Sequence, residues 1–262
     1  MNAFEDLIVS IDGEILTVAL NRPRVLNALR TNTLRELGTV IDESASSARV
    51  RAMIITGSGD TSFCAGGDIK QMEPMGANEA KAFAELSHKT LDKIENLEKP
   101  VISAVNGFAF GAGCDLAIAC DICIASEKAQ FGMPSTKIGI ITPFGGTQRL
   151  PRIVGPRFAK YMLFTGDIID AKKALEVGIA NSVVPHESVK SEARNMALKI
   201  LHQAPFALGA SKRLINFSME QGGLEKGDQL EIALYSNCFA TEDKTEGIRA
   251  FLEKRAPVFK GK

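Results

Sequence analysis

The chain has 262 residues, 45% of them apolar and 24% charged, with Lys+Arg and Asp+Glu balanced at 31 each. That length supports a sizeable core, and a net charge near zero argues against nucleic acid or a membrane surface as the partner. The acidic start from Met1 to Asp6 has no apolar signal core, and no apolar run is long enough to span a bilayer, so the expectation is a cytoplasmic protein.

In chain order, residues 7–11 and 15–20 flank Asp12-Gly13 and predict a β-hairpin, which Asn21-Arg22-Pro23 ends because proline has no N–H for the ladder. From Asn27, the spacing of Leu29, Leu34, Leu37, Val40 and Ile41 predicts a helix. A strand follows over 51–56, then the small-residue turn Phe63 to Lys70, a loop expected to be mobile over 71–78, and an amphipathic helix over 79–97. Strands are expected at 101–105 and 122–125, with a buried helix from Asp115 between them and a turn over 129–134 after the second. Residues 138–149 lead from loop into helix. Helices at 158–164 and 170–177, the latter closed by Gly178, precede a short strand over 179–184. Beyond that the pattern is helical: 187–202, 205–218, 224–240 and 243–254. Alternating strands and helices, then helices alone, indicate an α/β core with a helical C-terminal region. The division is placed at 1–200 and 201–262.

The centre of this pattern is Val101 to Asp121. An apolar strand, the bare turn Gly111-Ala112-Gly113 and a helix start leave backbone N–H groups exposed with positive partial charge. Such a place suits an anion, or an oxygen that becomes anionic during reaction. A dinucleotide fingerprint is the rival reading, but Leu116 stands where its third glycine belongs. The turn Ala65-Gly66-Gly67-Asp68 has the same character, so two N–H donors from separate turns are expected to meet at one carbonyl oxygen.

Several ordered motifs resemble the crotonase (enoyl-CoA hydratase/isomerase) superfamily. They are Asn21-Arg22-Pro23 with Leu26-Asn27-Ala28-Leu29, Phe63 to Lys70, Val105 to Asp115, Gly145 to Leu150, and Phe251 to Arg255. The resemblance implies an α/β spiral of β-β-α units with a helical C-terminal trimerisation region, and assembly as a homotrimer or a hexamer of two trimers. It implies an acyl-CoA thioester substrate and an oxyanion hole from the N–H groups of Gly67 and Ala112. No separate cofactor or metal is implied, since coenzyme A arrives with the substrate. The backbone around Ala65, Asp68 and Ile69 would hold the CoA adenine, with Arg24 and Lys70 near its phosphates. Phe251 and Lys254 would reach CoA from a C-terminal helix, that of a neighbouring subunit included.

Hydratases of this family use two glutamates, and the matching positions here are Asp115 and Ser135. Asp115 keeps a carboxylate set back by one methylene, whereas Ser135 offers only a hydroxyl. Thr142-Pro143-Phe144 also departs from the family's small residues, and Phe144 points to a short or cyclic acyl group. The favoured reading is a lyase adding or removing water across the double bond of an enoyl-CoA, dienoyl and cyclic forms included, with Asp115 as acid/base and Ser135 as orienter. The alternatives are an isomerase, hydrolase or decarboxylase of the same superfamily, and a weakly catalytic acyl-CoA-binding paralogue.

Other candidates have plainer explanations. Asp68 after a Gly-Gly turn is a helix N-cap. His88, His186 and His202 lie on or beside helices, Glu73 and Glu85 belong to a solvated face, and Tyr161 and Tyr235 are packing residues. The five cysteines form an odd set and are expected to be reduced, including Cys120 and Cys123, which have no second pair or histidine at metal-ligand spacing.

Overall fold

The computed structural model describes residues 4–219 and 223–262. Met1, Asn2 and Ala3, part of the acidic start, lie outside the described residues. The hairpin β1 (Leu7–Asp12) and β2 (Ile15–Leu20) is followed by α1 (Thr31–Ser46), β3 (Ala52–Gly57), β4 (Ser62–Cys64), α2 (Ile69–Met72) and α3 (Ala77–Asn96). Then come β5 (Val101–Val105), β6 (Phe108–Phe110), α4 (Ala112–Ala119), β7 (Ile122–Ser126), β8 (Gln130–Gly132) and α5 (Gly146–Thr165). The chain continues with β9 (Ile168–Asp170), α6 (Ala171–Glu176), β10 (Ser182–Val184) and α7 (Val189–Leu201), and closes with α8 (Pro205–Met219), α9 (Gly223–Cys238) and α10 (Glu242–Leu252).

The strands form two sheets, one ordered β1-β2-β3-β5-β7-β10 and one ordered β4-β6-β8-β9. Three successive units repeat one pattern: a strand in the large sheet, a short strand in the small sheet, then a helix. These are β3-β4 with α2 and α3, β5-β6 with α4, and β7-β8 with α5. That is the expected spiral of β-β-α units. From β2 to β10 the large sheet is parallel. Parallel strands need helices on both faces, and the sequence shows why they obtain them. Ala52 and Ile54 face α7 through Val189, Ala193 and Ala197, while Met53 and Ile55 face the main core.

Several expectations need correction. The helix predicted from Asn27 begins at Thr31, because Leu26 and Asn27 hold left-handed backbone with φ of 53° and 59°. The loop at 71–78 is shorter, since α2 occupies its start and α3 begins at Ala77. The buried helix starts at Ala112, not Asp115. The turn at 129–134 contains β8, and β4, β6 and β9 were not anticipated. Each has three residues, too few to show a periodicity. The helix read over 158–164 begins at Gly146 and is broken at Gly155, whose φ is 77°. Tyr161 and Tyr235 pack against the rings of Phe158 and Phe239 but leave much of their surface exposed; the Tyr161 hydroxyl donates to Asp167 Oδ2.

Candidate active site

Two sequence-distant turns are fastened together at the end of the small sheet. Leu29 N–H donates to Gly66 O and Asp68 N–H donates to Leu29 O, both at 2.8 Å. This parallel bridge uses both backbone groups on one side of the 66–68 segment. The N–H of Gly67 therefore points the other way, and it donates to no acceptor among the described residues. The early Asn-Arg-Pro and Leu-Asn-Ala motifs hold this turn in place. Asn27 donates from Nδ2 to Ser58 O and Ser62 O and accepts from Arg22 N–H through Oδ1. Arg22 in turn pairs with Asp68 at 2.8 Å. Asp68 caps α2 by accepting from the N–H groups of Lys70 and Gln71. Burial pushes its carboxyl up, but Arg22 and these donors hold it below its ordinary value. Asp68 is thus a cap and an anchor.

The second turn ends in α4, every residue of which is buried. Gly111 has a φ of 50°, in the left-handed region, and donates its N–H to Gly132 O at 2.8 Å. Gly113 must lack a side chain, because a Cβ there would overlap the Cys64 carbonyl. That close approach brings α4 down onto β4. Ala112 is the first residue of α4, so its N–H has no partner within the helix. A Cβ on Gly66 would lie 3.9 Å from that nitrogen, which measures how near the turns come.

Gly67 and Ala112 line one cavity of about 260 Å³. Ala65 and Ile69 share its wall, with Met72, Pro143 and Phe144. Ser135 lines it too, with its Oγ 3.7 Å from where a Cβ on Gly111 would stand. Phe144 is 1% exposed and meets Phe83 edge-on at 5.7 Å between ring centres, which closes that side. A larger hollow of about 470 Å³ lies at the far end of α4, against α8, and contains neither turn.

Asp115 does not line the cavity. It is fully buried one helical turn beyond Ala112, against Thr142 and Gly146. Thr142 Oγ1 donates to Asp115 Oδ2, and Asp115 Oδ1 has no partner among the described residues. A Cβ on Gly146 would overlap Oδ1, so the second glycine of the Gly-Gly motif makes room for the carboxylate. Burial pushes the Asp115 carboxyl up to about 7, opposed by the Thr142 hydrogen bond and the nearby Arg149 charge. Such a group gives up and takes back a proton readily near neutrality.

The remaining candidates are more dispersed. Lys70 lines a neighbouring cleft of about 480 Å³ with Arg22, Arg30 and Arg35. Arg24 is exposed and lines neither this cleft nor the cavity. Phe251, at 82% exposed, and Lys254 lie on or just past α10, away from the chain's own cavity. Glu73 and Glu85 do not line it either, and His88 instead stands beside Gly145. The five cysteines are free, and no group of three metal-ligating side chains is found among the described residues. Thr142 and Gly146 gained roles that sequence reasoning did not assign. The only signal for Thr142 was a hydroxyl inside the apolar stretch 138–144.

A family model described as enoyl-CoA hydratase/isomerase matches residues 10–262. The chain is 43% identical over 257 residues to a crotonyl-CoA hydratase of Syntrophomonas wolfei subsp. wolfei, covering 98% of each. It is 44% identical over 250 residues to a short-chain-enoyl-CoA hydratase of Clostridium acetobutylicum, covering 95% of each. Its fold is similar to the crystal structure of an enoyl-CoA hydratase from Bacillus anthracis, with a TM-score of 0.95 at 36% identity, covering 98% of this chain and 100% of that one.

Proposed function

We propose, for a chain that belongs to the enoyl-CoA hydratase/isomerase family, that it adds water reversibly across the double bond of a short-chain enoyl-CoA. The protein is an enoyl-CoA hydratase-like lyase. The observation that carries the assignment of its site is the pair of N–H donors, Gly67 and Ala112, without partners among the described residues and opening into one small apolar cavity.

The thioester oxygen accepts from both donors. A water oxygen bonds to the β-carbon, and the electron pair of the double bond moves to the thioester as an enolate. The donors stabilise that charge where it develops, each contributing about 3–4 kcal/mol. Asp115 takes the proton that the water releases and returns it to the α-carbon, so one carboxyl serves both half-steps and water is added without net change in the enzyme. Because the carboxylate does not line the cavity, a second, relaying water that is not consumed carries the proton between Asp115 and the substrate in both half-steps. Ser135, at the cavity wall, orients that water.

The cavity volume of about 260 Å³ and the Phe144 wall favour a short acyl group. The backbone at Ala65, Asp68 and Ile69 contacts the adenine, and Lys70, on its basic cleft, serves the CoA phosphates together with Arg24, which is exposed outside that cleft. No cofactor takes part beyond the CoA of the substrate. The reduced thiols fit a cytoplasmic setting.

Ser135 in place of a second carboxylate favours one other reading, a different enolate reaction of the same superfamily on the same hole. Turnover of a panel of enoyl-, dienoyl- and 3-hydroxyacyl-CoA thioesters separates them. The expected result is hydration of crotonyl-CoA, seen as loss of enoyl-thioester absorbance. No turnover of any enoyl-CoA, with processing of another thioester, would overturn the hydration reading.

A further inference from the structure

We infer that Thr142 is a positioning residue for Asp115, holding carboxylate Oδ2 by a hydrogen bond so that Oδ1 alone is left to exchange the proton; this rests on the hydration reading above. Thr142 is 3% exposed and Asp115 fully buried, so neither partner is shared with bulk water. Thr142 Oγ1 donates to Oδ2, while Oδ1 has no partner among the described residues. A buried carboxylate oxygen without a donor is costly unless something else, here the relaying water, is meant to meet it. Gly146 reinforces the arrangement, since any side chain there would displace Oδ1.

Thr142 does not line the cavity, although its neighbours Pro143 and Phe144 do. The segment therefore faces two ways: Pro143 and Phe144 shape the acyl wall, and Thr142 and Gly146 fix the carboxylate. A β-branched side chain such as threonine is stiff at χ1, which suits it to holding one oxygen in one place. The group that fixes the base and the group that limits the acyl chain are thus two residues apart on one segment.

The other titratable groups around Asp115 are few. Arg149 of α5 favours its ionised form. Cys64 of β4, pushed up to about 12, and Cys114 of α4, raised well above its ordinary value, are thiols held neutral by burial and, secondarily, by Asp115 itself. His88 of α3 stands against Gly145 rather than the carboxylate. The Thr142 hydrogen bond is therefore the direct neutral contact that stabilises the charged form.

Thr142→Val keeps the shape and removes the donor; Thr142→Ser keeps the donor. With crotonyl-CoA, the valine variant is expected to lose about ten-fold in kcat at pH 7 with little change in KM, and its acid limb is expected to move up by about one pH unit. The serine variant is expected to restore both. A second measurement needs no turnover: carbon-13 titration of the Asp115 carboxyl, whose midpoint should rise in the valine variant and return in the serine variant. An unchanged midpoint and rate in Thr142→Val, or a serine variant as altered as the valine one, would overturn the inference. Should the wild type not hydrate crotonyl-CoA while the titration behaves as expected, the positioning role stands and the hydration reading falls.

Discussion

At the scale of single residues, the proposed function turns on Asp115 and Ser135. Burial raises the folded-state value of Asp115 to about 7, against an ordinary value of 3.8. Between those values the native protein keeps a proton that the unfolded chain has released, so this group's stabilising contribution falls as pH rises from about 4 to about 7 and is level above that. Asp115→Asn removes the penalty while preserving an acceptor for Thr142. The variant is expected to melt higher than wild type at pH 8 and about the same at pH 4, by calorimetry, while losing about 10²–10⁴-fold in hydration rate. A variant that melts no higher at pH 8 would refute the raised value. Ser135→Ala should cost far less, because a neutral hydrogen bond is worth roughly 1 kcal/mol. Ser135→Glu should raise hydration of a short straight-chain enoyl-CoA by supplying a second carboxyl. Equal damage from Ser135→Ala and Asp115→Asn would make Ser135 a group in direct contact with the chemistry.

At the scale of elements, the site is made by close approach. Gly113 lets α4 touch the Cys64 carbonyl, and the Leu29 bridge turns Gly67 outward. Both proposed donors are backbone groups, so deleting a side chain cannot test them. Gly67→Pro removes one N–H. Its kcat is expected to fall by about two to three orders of magnitude, with a wild-type circular dichroism spectrum. Near-normal turnover in the folded variant would reject Gly67 as a donor. The short strands β4, β6 and β8 matter for the same reason: although each has only three residues, together they carry both turns to one place.

At the scale of the whole molecule, the three C-terminal helices present unlike surfaces. α8 is tied to the core, with Lys212 donating to Ile94 O and pairing with Asp121, and Asn216 donating to Glu95 O. α9 and α10 instead expose Leu224, Ile232, Tyr235, Phe251 and Leu252, each at least 65% accessible. Exposed apolar side chains of this size and number fit an interface between copies. We propose a homotrimer, alone or paired into a hexamer, in which Phe251 and Lys254 reach the cavity of a neighbouring copy. Light scattering at micromolar concentration should give three or six chain masses, and a monomer would count against both the assembly and the cross-subunit contact. Among the described residues, no helix is long and apolar enough to cross a membrane.

The amino-acid sequence by itself determined the family, the alternation that builds the parallel sheet, and the two turns. These are local properties: a run of β-branched and apolar residues, a glycine pair, a capping aspartate. Asn21 to Leu29, Ala65 to Lys70 and Gly111 to Asp115 are each continuous stretches, so their residues could be named in order. Tertiary structure alone decided that Thr142 meets Asp115 across 27 positions, and that Gly146 is small for the sake of a carboxylate rather than a turn. It also decided that Ser135 lines the cavity while Asp115 does not. The physical reason is that burial and hydrogen-bond partnership depend on which segments pack together. The same aspartate would titrate near its ordinary value on a surface, and no spacing along the chain records that it lies buried against Thr142 and Gly146.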